Sequence, residues 1–145
     1  MDRVVLDTNC LLISLSKRGC YYKVWKDFFG RVMSWKESWM STLWYTNEIL
    51  TECEEILTLK MGPVIAQNVI KAIITRKNTL KFDAHFRFNL IQSDVDDNKF
   101  VDCAIVANAS YIVSQDHHFD ILKNIDFSKV ELIDIDTFVA LLGND

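Results

Sequence analysis

Short apolar runs alternate along this chain with longer stretches whose apolar residues recur every three or four positions. The first run, Val4-Val5-Leu6, ends at Asp7 and predicts a buried strand over residues 3–7. Similar runs predict further strands over residues 42–45, 79–82, 111–114 and 130–133. The helical period predicts helices over residues 21–32, 47–60, 63–76, 100–109 and 136–142. This alternation indicates an α/β fold with a mainly parallel sheet and helices on both faces.

Local signals mark where some of these helices begin. Thr46 or Asn47 is suited to cap the helix that follows. Gly62 and Pro63 interrupt the pattern, and Pro63 fits the first turn of the next helix. Residues 83–93 show no clear period.

The length and composition fit one globular domain over residues 1–145. The chain has 145 residues, of which 50% are hydrophobic and 25% charged, a globular profile. It contains no repeat, no linker-like segment and no apolar stretch long enough to span a membrane. The N-terminus lacks the long apolar region of a secretory signal, so we expect a cytosolic protein that does not contact membranes.

The cysteines and the net charge narrow the possible classes. The cysteines form no C-x-x-C pair and have no histidines at zinc-ligand spacing. We expect them to be reduced and mostly buried, since a chain of this size can stabilise itself by core packing. The net charge of −4 argues against binding nucleic acid through a broad basic surface alone. A nucleic-acid partner would therefore require metal ions or local patches.

Three aspartates are expected at one edge of the sheet. Asp7 and Asp116 each follow a short apolar strand, and Asp97 lies at the predicted start of a helix. Ligands of open parallel sheets bind beyond the carboxyl ends of the strands, where loops and helix N-termini converge. Each aspartate also has a local explanation, because aspartate is common after strands and at helix N-caps. Position alone leaves a shared site and three unrelated local roles as alternatives.

A fourth acid comes from the helix predicted over residues 47–60. At about 100° per residue, Glu52 and Glu54 flank opposite edges of its apolar stripe, whereas Glu48 and Glu55 point away from it. The helical period does not choose between Glu52 and Glu54.

Asp102 lies within an apolar helical stretch, so its carboxylate is expected to be partly buried and to need a partner. Asn98, one turn earlier on the same face, is a candidate for a hydrogen bond to it. A metal ion is the other candidate.

Several carboxylates in one pocket favour the binding of hard divalent cations. Mg²⁺ and Mn²⁺ prefer oxygen ligands, and clustered ionised acids repel one another until such a cation binds. Two ions roughly 4 Å apart can activate a water molecule and stabilise the leaving oxygen in phosphodiester cleavage. Such ions also remove the electrostatic objection to an acidic protein that approaches RNA.

The first half of the chain resembles PIN domains, especially those that are toxins of toxin–antitoxin systems. Residues 5–12 resemble the opening strand of this family and its motif, here Asp7-Thr8-Asn9. Residues 47–57 are similar to the second block, and the match assigns the acid of that block to Glu52.

Two later blocks complete the resemblance. Residues 94–104 are similar to the third block, with Asp97 as its acid, and residues 111–116 resemble the closing strand and its acid, Asp116. Ser114 stands where threonine is common. The resemblance covers nearly the whole chain, but the Trp-containing segment 33–42 does not align.

The resemblance implies a PIN-like three-layer fold with a five-stranded sheet of order 3-2-1-4-5. It also implies an Mg²⁺- or Mn²⁺-dependent endoribonuclease, with RNA as substrate, frequent homodimers and a cognate antitoxin in many members. The acids that it assigns to metal binding and catalysis are Asp7, Glu52, Asp97 and Asp116. Asn9 and either Ser114 or Thr8 would support them by hydrogen bonding, and Asp102 remains a further candidate metal ligand.

Other classes fit the sequence less well. A haloacid-dehalogenase-type phosphatase needs a second aspartate two residues after the first, where this chain has Asn9. A receiver domain needs a phosphoacceptor after its third strand and a lysine after its fifth, and neither is evident. The main alternative is a PIN-like module that binds nucleic acid or a protein without cutting.

Some further residues could contact RNA. His117 and His118 follow Asp116, although solvated loop histidines are the simpler interpretation. The aromatic clusters at 21–29 and 35–45 could stack bases, but core or dimer packing is the more common role of such residues.

Overall fold

A parallel sheet of five strands organises the chain. The computed structural model describes residues 2–16, 18–29, 41–76, 78–82, 87–92, 94–124 and 129–142. The strands are β1 Asp2–Leu6, β2 Ser41–Tyr45, β3 Thr79–Lys81, β4 Tyr111–Val113 and β5 Glu131–Ile133. Their order is β3-β2-β1-β4-β5, and every neighbouring pair is parallel. The predicted α/β class and strand order are confirmed.

Within the described ranges, six α-helices and two 3₁₀ helices lie between or after the strands. The α-helices are α1 Thr8–Ser14, α2 Tyr22–Phe29, α3 Asn47–Met61, α4 Pro63–Thr75, α5 Asn98–Val106 and α6 Ile135–Leu141. The 3₁₀ helices are Val95–Asp97 and His117–Asn124. The sequence pattern predicted five of these α-helices but neither α1 nor the 3₁₀ helices, and residues 30–40 of the Trp-rich segment lie outside the described residues.

The direction of the chain across the sheet reverses after β3. The connections from β1 to β2 and from β2 to β3 move one way, whereas those from β3 to β4 and from β4 to β5 move the other way. Because parallel crossovers are right-handed, these two sets of connections cover opposite faces of the sheet. The point at which the order reverses lies between the carboxyl ends of β1 and β4, where α/β folds bind ligands.

The central strand β1 is the most deeply buried part of the sheet. Val4 and Val5 are 0% exposed, and β1 pairs with β2 on one side and β4 on the other. On α5, Phe100 is also fully buried and packs edge-on against Phe119 at 6.2 Å between ring centroids. Burial on both sides explains the nearly continuous apolar run of β1.

The start and end of α3 follow local sequence rules. The Oγ1 atom of Thr46 accepts a hydrogen bond from the backbone N–H of Ile49 at 3.3 Å, so Thr46 is the N-cap. Gly62 ends the helix with φ at 90°, a backbone conformation that favours glycine, and Pro63 begins α4.

Two side chains of α5 hold residues 87–92, the segment that leads to Asp97. The Oδ1 atom of Asn98 accepts from the N–H of Ile91 at 2.8 Å, and its Nδ2 atom donates to the carbonyl of Ile91 at 2.9 Å. One turn later, Oδ1 of Asp102 accepts from the N–H of Phe88 at 3.0 Å. Asn98 and Asp102 thus bind a third segment instead of each other.

The cysteines agree with the expectation of free and mostly buried thiols. All four cysteines are free, and all are buried except Cys20. Among the described residues, no helix has both the length and the apolar character that crossing a bilayer requires.

Replacing Asn98 by alanine is expected to destabilise the protein by about 2–3 kcal/mol, because it leaves the buried N–H and carbonyl of Ile91 without their partner. Urea unfolding measures this loss. The matched control is Asn68→Ala on the exposed face of α4, which should change stability by no more than about 0.5 kcal/mol. Equal effects of the two substitutions would show that the bonds to Ile91 contribute nothing.

Candidate acidic site

The pairing of β1 with β4 places Asp7 beside Ser114. Leu6 and Val113 are partners in the strand register, and the N–H of Asp7 continues the ladder by donating to the carbonyl of Val113 at 3.0 Å. The hydroxyl of Ser114 then donates to Oδ2 of Asp7 at 2.8 Å. Only 6% of Asp7 and 4% of Ser114 is exposed, so this hydrogen bond satisfies two buried polar groups.

The same hydroxyl fixes the position of Asp116. The backbone N–H of Asp116 donates to Oγ of Ser114 at 3.0 Å. One serine therefore orients the Asp7 carboxylate and the backbone from which the partly exposed Asp116 side chain extends.

Glu52 reaches this edge of the sheet from the second turn of α3. Oγ1 of Thr8, the residue after Asp7, donates to Oε2 of Glu52 at 2.6 Å. Nζ of Lys99, on the first turn of α5, forms an ion pair with Oε1 of Glu52 at 2.9 Å. The two carboxylate oxygens of Glu52 thus have different partners, one from α1 and one from α5.

The electrostatics of Asp7 connect three of the acids. Burial is the largest effect, and it raises the pKa of the Asp7 carboxyl above its ordinary value. The hydrogen bond from Ser114 and the backbone amide of Asn9 lower this pKa, whereas the negative charges of Glu52 and Asp116 raise it further. Glu52 and Asp116 are therefore each close enough to repel the carboxylate of Asp7.

Asp97 and Asp102 occupy different surroundings on α5. Asp97 is the residue before α5 and is partly exposed, two positions before the lysine that contacts Glu52. Asp102 is buried, and burial raises its pKa. The charges that act on Asp102 belong to Arg87 and Glu48, which form an exposed ion pair at 2.6 Å. Asp102 thus belongs with the segment that it binds through Phe88, and not with Asp7.

The side chains fit a hard divalent cation by chemistry more closely than by spacing. Asp7, Glu52, Asp97 and Asp116 offer only carboxylate oxygens, which Mg²⁺ and Mn²⁺ prefer. In the described ranges, no three Asp, Glu, His or Cys side chains are placed to hold one ion together. Binding one cation to three of these carboxylates would thus require them to move closer together, whereas Mg²⁺ held by one or two of them and several water molecules would not.

Thiol chemistry does not suit this site. Cys53 follows Glu52 on α3, and its Sγ atom lies 3.6 Å from Oγ1 of Thr8. Burial raises the pKa of Cys53 to about 11 and that of Cys10 to about 12. Both thiols are protonated at neutral pH, so neither is an activated nucleophile.

Comparisons with known proteins give the family. The family model described as PIN domain matches residues 3–118. The chain belongs to the PIN domain family. No protein in the curated set matches the sequence.

A solved structure with the same fold is the crystal structure of VapBC2 from Rickettsia felis bound to a DNA fragment from their promoter. The match has a TM-score of 0.58 and 17% sequence identity, and it covers 91% of this chain and 99% of that chain. At this identity the likeness establishes the fold alone.

The part of this PIN domain that matches the family model contains all four candidate acids. Asp7, Glu52 and Asp116 lie together, because the charges of the last two act on the first, and Asp97 directly precedes the helix that carries Lys99. Ser114 and Thr8 were named as alternative supporting residues; the hydroxyl of Ser114 donates to Asp7 and that of Thr8 donates to Glu52. By contrast, the side chain of Asn9 is exposed, and this residue acts on Asp7 through its backbone amide.

Lys99 is the residue of the PIN domain site that the sequence analysis missed. A lysine in the first turn of a helix is disfavoured by the helix dipole. Its position at the start of the predicted helix was therefore the signal that its ammonium group has a specific partner.

The other candidates for RNA contacts divide into two groups. Tyr21, Trp25 and Trp44 pack against the core, as the simpler interpretation expected. Trp35 and Trp39 lie outside the described residues, as do the side chains of His117 and His118.

Replacing Asp7 by asparagine is expected to stabilise the metal-free PIN domain at neutral pH. Because the folded state raises the pKa of Asp7, it holds this proton more tightly than the unfolded chain does. Stability from this group is thus lost as pH rises above the ordinary value of 3.8 toward the folded pKa. The asparagine side chain does not ionise, so Asp7→Asn does not lose stability in this way as pH rises.

Urea unfolding of both proteins in EDTA, between about pH 4 and pH 7, tests this expectation. The advantage of Asp7→Asn should grow with pH, and Asp2→Asn at the other end of β1 controls for the loss of one negative charge. An advantage that is constant or shrinks with pH would contradict the raised pKa of Asp7.

Proposed function

We propose that this PIN domain is an Mg²⁺- or Mn²⁺-dependent endoribonuclease that hydrolyses RNA phosphodiester bonds. One observation supports this most strongly. A buried aspartate at the carboxyl end of the central strand is held beside two further acids that raise its pKa, at the reversal point of the sheet. Perturbed carboxyl groups in such a position are typical of active sites.

The proposed metal-binding and catalytic residues are Asp7, Glu52, Asp97 and Asp116. When bound, the cation supplies Lewis-acid stabilisation of the phosphodiester group. The chain itself orients these acids: Ser114 fixes the direction of the Asp7 carboxylate, and Thr8 fixes that of Glu52. A covalent intermediate on the chain is not part of the proposal, because the nearby thiols are protonated and Ser114, at 4% exposure, is buried away from a substrate.

We further propose that the protein is the toxin of a toxin–antitoxin pair, forms a homodimer and acts in the cytosol. The resemblance of its motifs supports the assignment as a toxin, as does the fold shared with a chain of a VapBC2 complex.

Uncovered apolar side chains on α3 and α4 fit a protein partner or a second copy of the chain. They include Leu59 at 85% exposure and Val64 at 70%. Free cysteines fit a reducing compartment.

A PIN module that binds RNA or protein without cutting is the second candidate. The observation that favours it is the ion pair of Lys99 with Glu52, together with acids that do not converge on one point within the described ranges. The two candidates differ in what a divalent cation does to the protein.

Wild type is expected to cleave a mixed pool of single-stranded RNA when Mn²⁺ or Mg²⁺ is added, and to stop in EDTA. Asp7→Asn and Glu52→Gln should each lower the rate at least about 100-fold, since the loss of groups that merely support metal ligands already costs roughly 10–100-fold. Gel analysis of end-labelled RNA measures the rates.

Glu54→Gln is the matched control, because Glu54 is an exposed acid two residues along the same helix. It should leave the rate and the Mn²⁺-induced rise in melting temperature unchanged. If wild type shows neither metal-dependent cleavage nor stabilisation by Mn²⁺, but still binds RNA, the non-catalytic module is the correct interpretation.

A further inference from the structure

One acid of the site, Glu52, forms an ion pair with a lysine from a different connection of the sheet. Lys99 is carried by α5, which precedes β4, while Glu52 is carried by α3, which follows β2. Their Nζ and Oε1 atoms are 2.9 Å apart, and the exposed fractions of the two side chains are only 15% and 22%. This ion pair is more shielded from water than the Arg87–Glu48 pair, whose side chains are 64% and 52% exposed.

The contact leaves Glu52 with donors on both oxygens. Thr8, which is 2% exposed, holds Oε2, and Lys99 holds Oε1. The carboxylate is therefore fixed between α1 and α5 and is not free to turn toward another cation while both contacts persist.

Lys99 also places a positive charge beside one of the acids that repel Asp7. Glu52 and Asp116 both raise the pKa of the buried Asp7, so the metal-free site holds negative charge that burial makes costly. The ammonium group lies against one of these acids. Its positive charge also acts on the neighbouring Cys53, where it lowers the pKa against the larger effect of burial. Lys99 thus occupies the electrostatic role that a divalent cation has in a loaded site.

We propose that Lys99 is the built-in counter-ion of the metal-free site, and that a divalent cation binds only when Lys99 releases Oε1 of Glu52. Lys99 is thus a positioning residue that stabilises the metal-free protein and weakens its affinity for the metal. This inference rests on the proposed function, because it requires that Glu52 binds a cation.

The test is titration of the full chain with Mn²⁺ alone, at low ionic strength, with free Mn²⁺ followed by electron paramagnetic resonance. Lys99→Met is expected to bind Mn²⁺ about tenfold or more tightly than wild type, since it removes a positive charge beside the ligands. Lys99→Arg keeps the charge and should bind like wild type within about twofold. Lys71→Met, on the exposed face of α4, is the matched control and should not change the affinity.

Stability in EDTA gives a second measurement. Lys99→Met should melt at a lower temperature than wild type without metal and gain more from Mn²⁺, because the acids have lost their counter-ion. Lys99→Gln, which keeps a polar side chain without the charge, replaces Lys99→Met in both measurements if the latter does not fold.

The outcomes separate this inference from the proposed function. If wild type binds Mn²⁺ and the uncharged variants bind equally or more weakly, the ion pair is only structural and the inference is overturned. If wild type binds weakly or not at all but the uncharged variants bind, the inference is supported. If none of the variants binds Mn²⁺, the proposed metal dependence fails and the inference fails with it.

Discussion

The register between β1 and β4 is the constraint on which the site depends. It pairs Leu6 with Val113, so the next residue of each strand, Asp7 and Ser114, meets at the carboxyl edge of the sheet. A slip of one residue would turn the side chains of β1 to the opposite face. Because both faces of this strand are packed against the core, the side chains on both sides would then have to repack. The hydrophobic core therefore fixes the register, and the register fixes the distance between two residues that are 107 positions apart.

Burial of carboxylates at this edge lowers the stability of the folded chain, and the surrounding residues reduce that cost. An ionised carboxylate with 6% exposure, as in Asp7, needs hydrogen bonds or opposite charge. Ser114 and the amide of Asn9 supply the first for Asp7, while Lys99 supplies the second for Glu52. These groups come from different connections of the sheet, so the site exists only in the folded chain.

Periodicity predicted the strands and five of the α-helices, and its bounds were closest for α3 and α4. Helix α1 was missed because it starts with Thr8 and Asn9, which favour turns, and continues with an unbroken apolar run that has no helical period, so packing and not intrinsic propensity holds it. The site itself depends on contacts between segments, which leave no periodic signal. The helical period left Glu52 and Glu54 equivalent, and the hydroxyl of Thr8 distinguishes them because it reaches only the first.

The stability that the protein loses by burying these acids helps to distinguish a nuclease from a module that only binds RNA. Asp7 is buried beside Glu52 and Asp116, and both raise its pKa, so the metal-free protein is less stable with the ionised carboxylate than with a neutral isostere. A module that binds RNA through its surface gains nothing from this arrangement, since negative charge repels phosphate. A protein that binds a divalent cation does gain, because each carboxylate that destabilises the metal-free state strengthens binding of the ion. The arrangement therefore favours a site whose acids are stabilised by a cation. In the metal-free protein, we propose, the ammonium group of Lys99 takes the place of that cation.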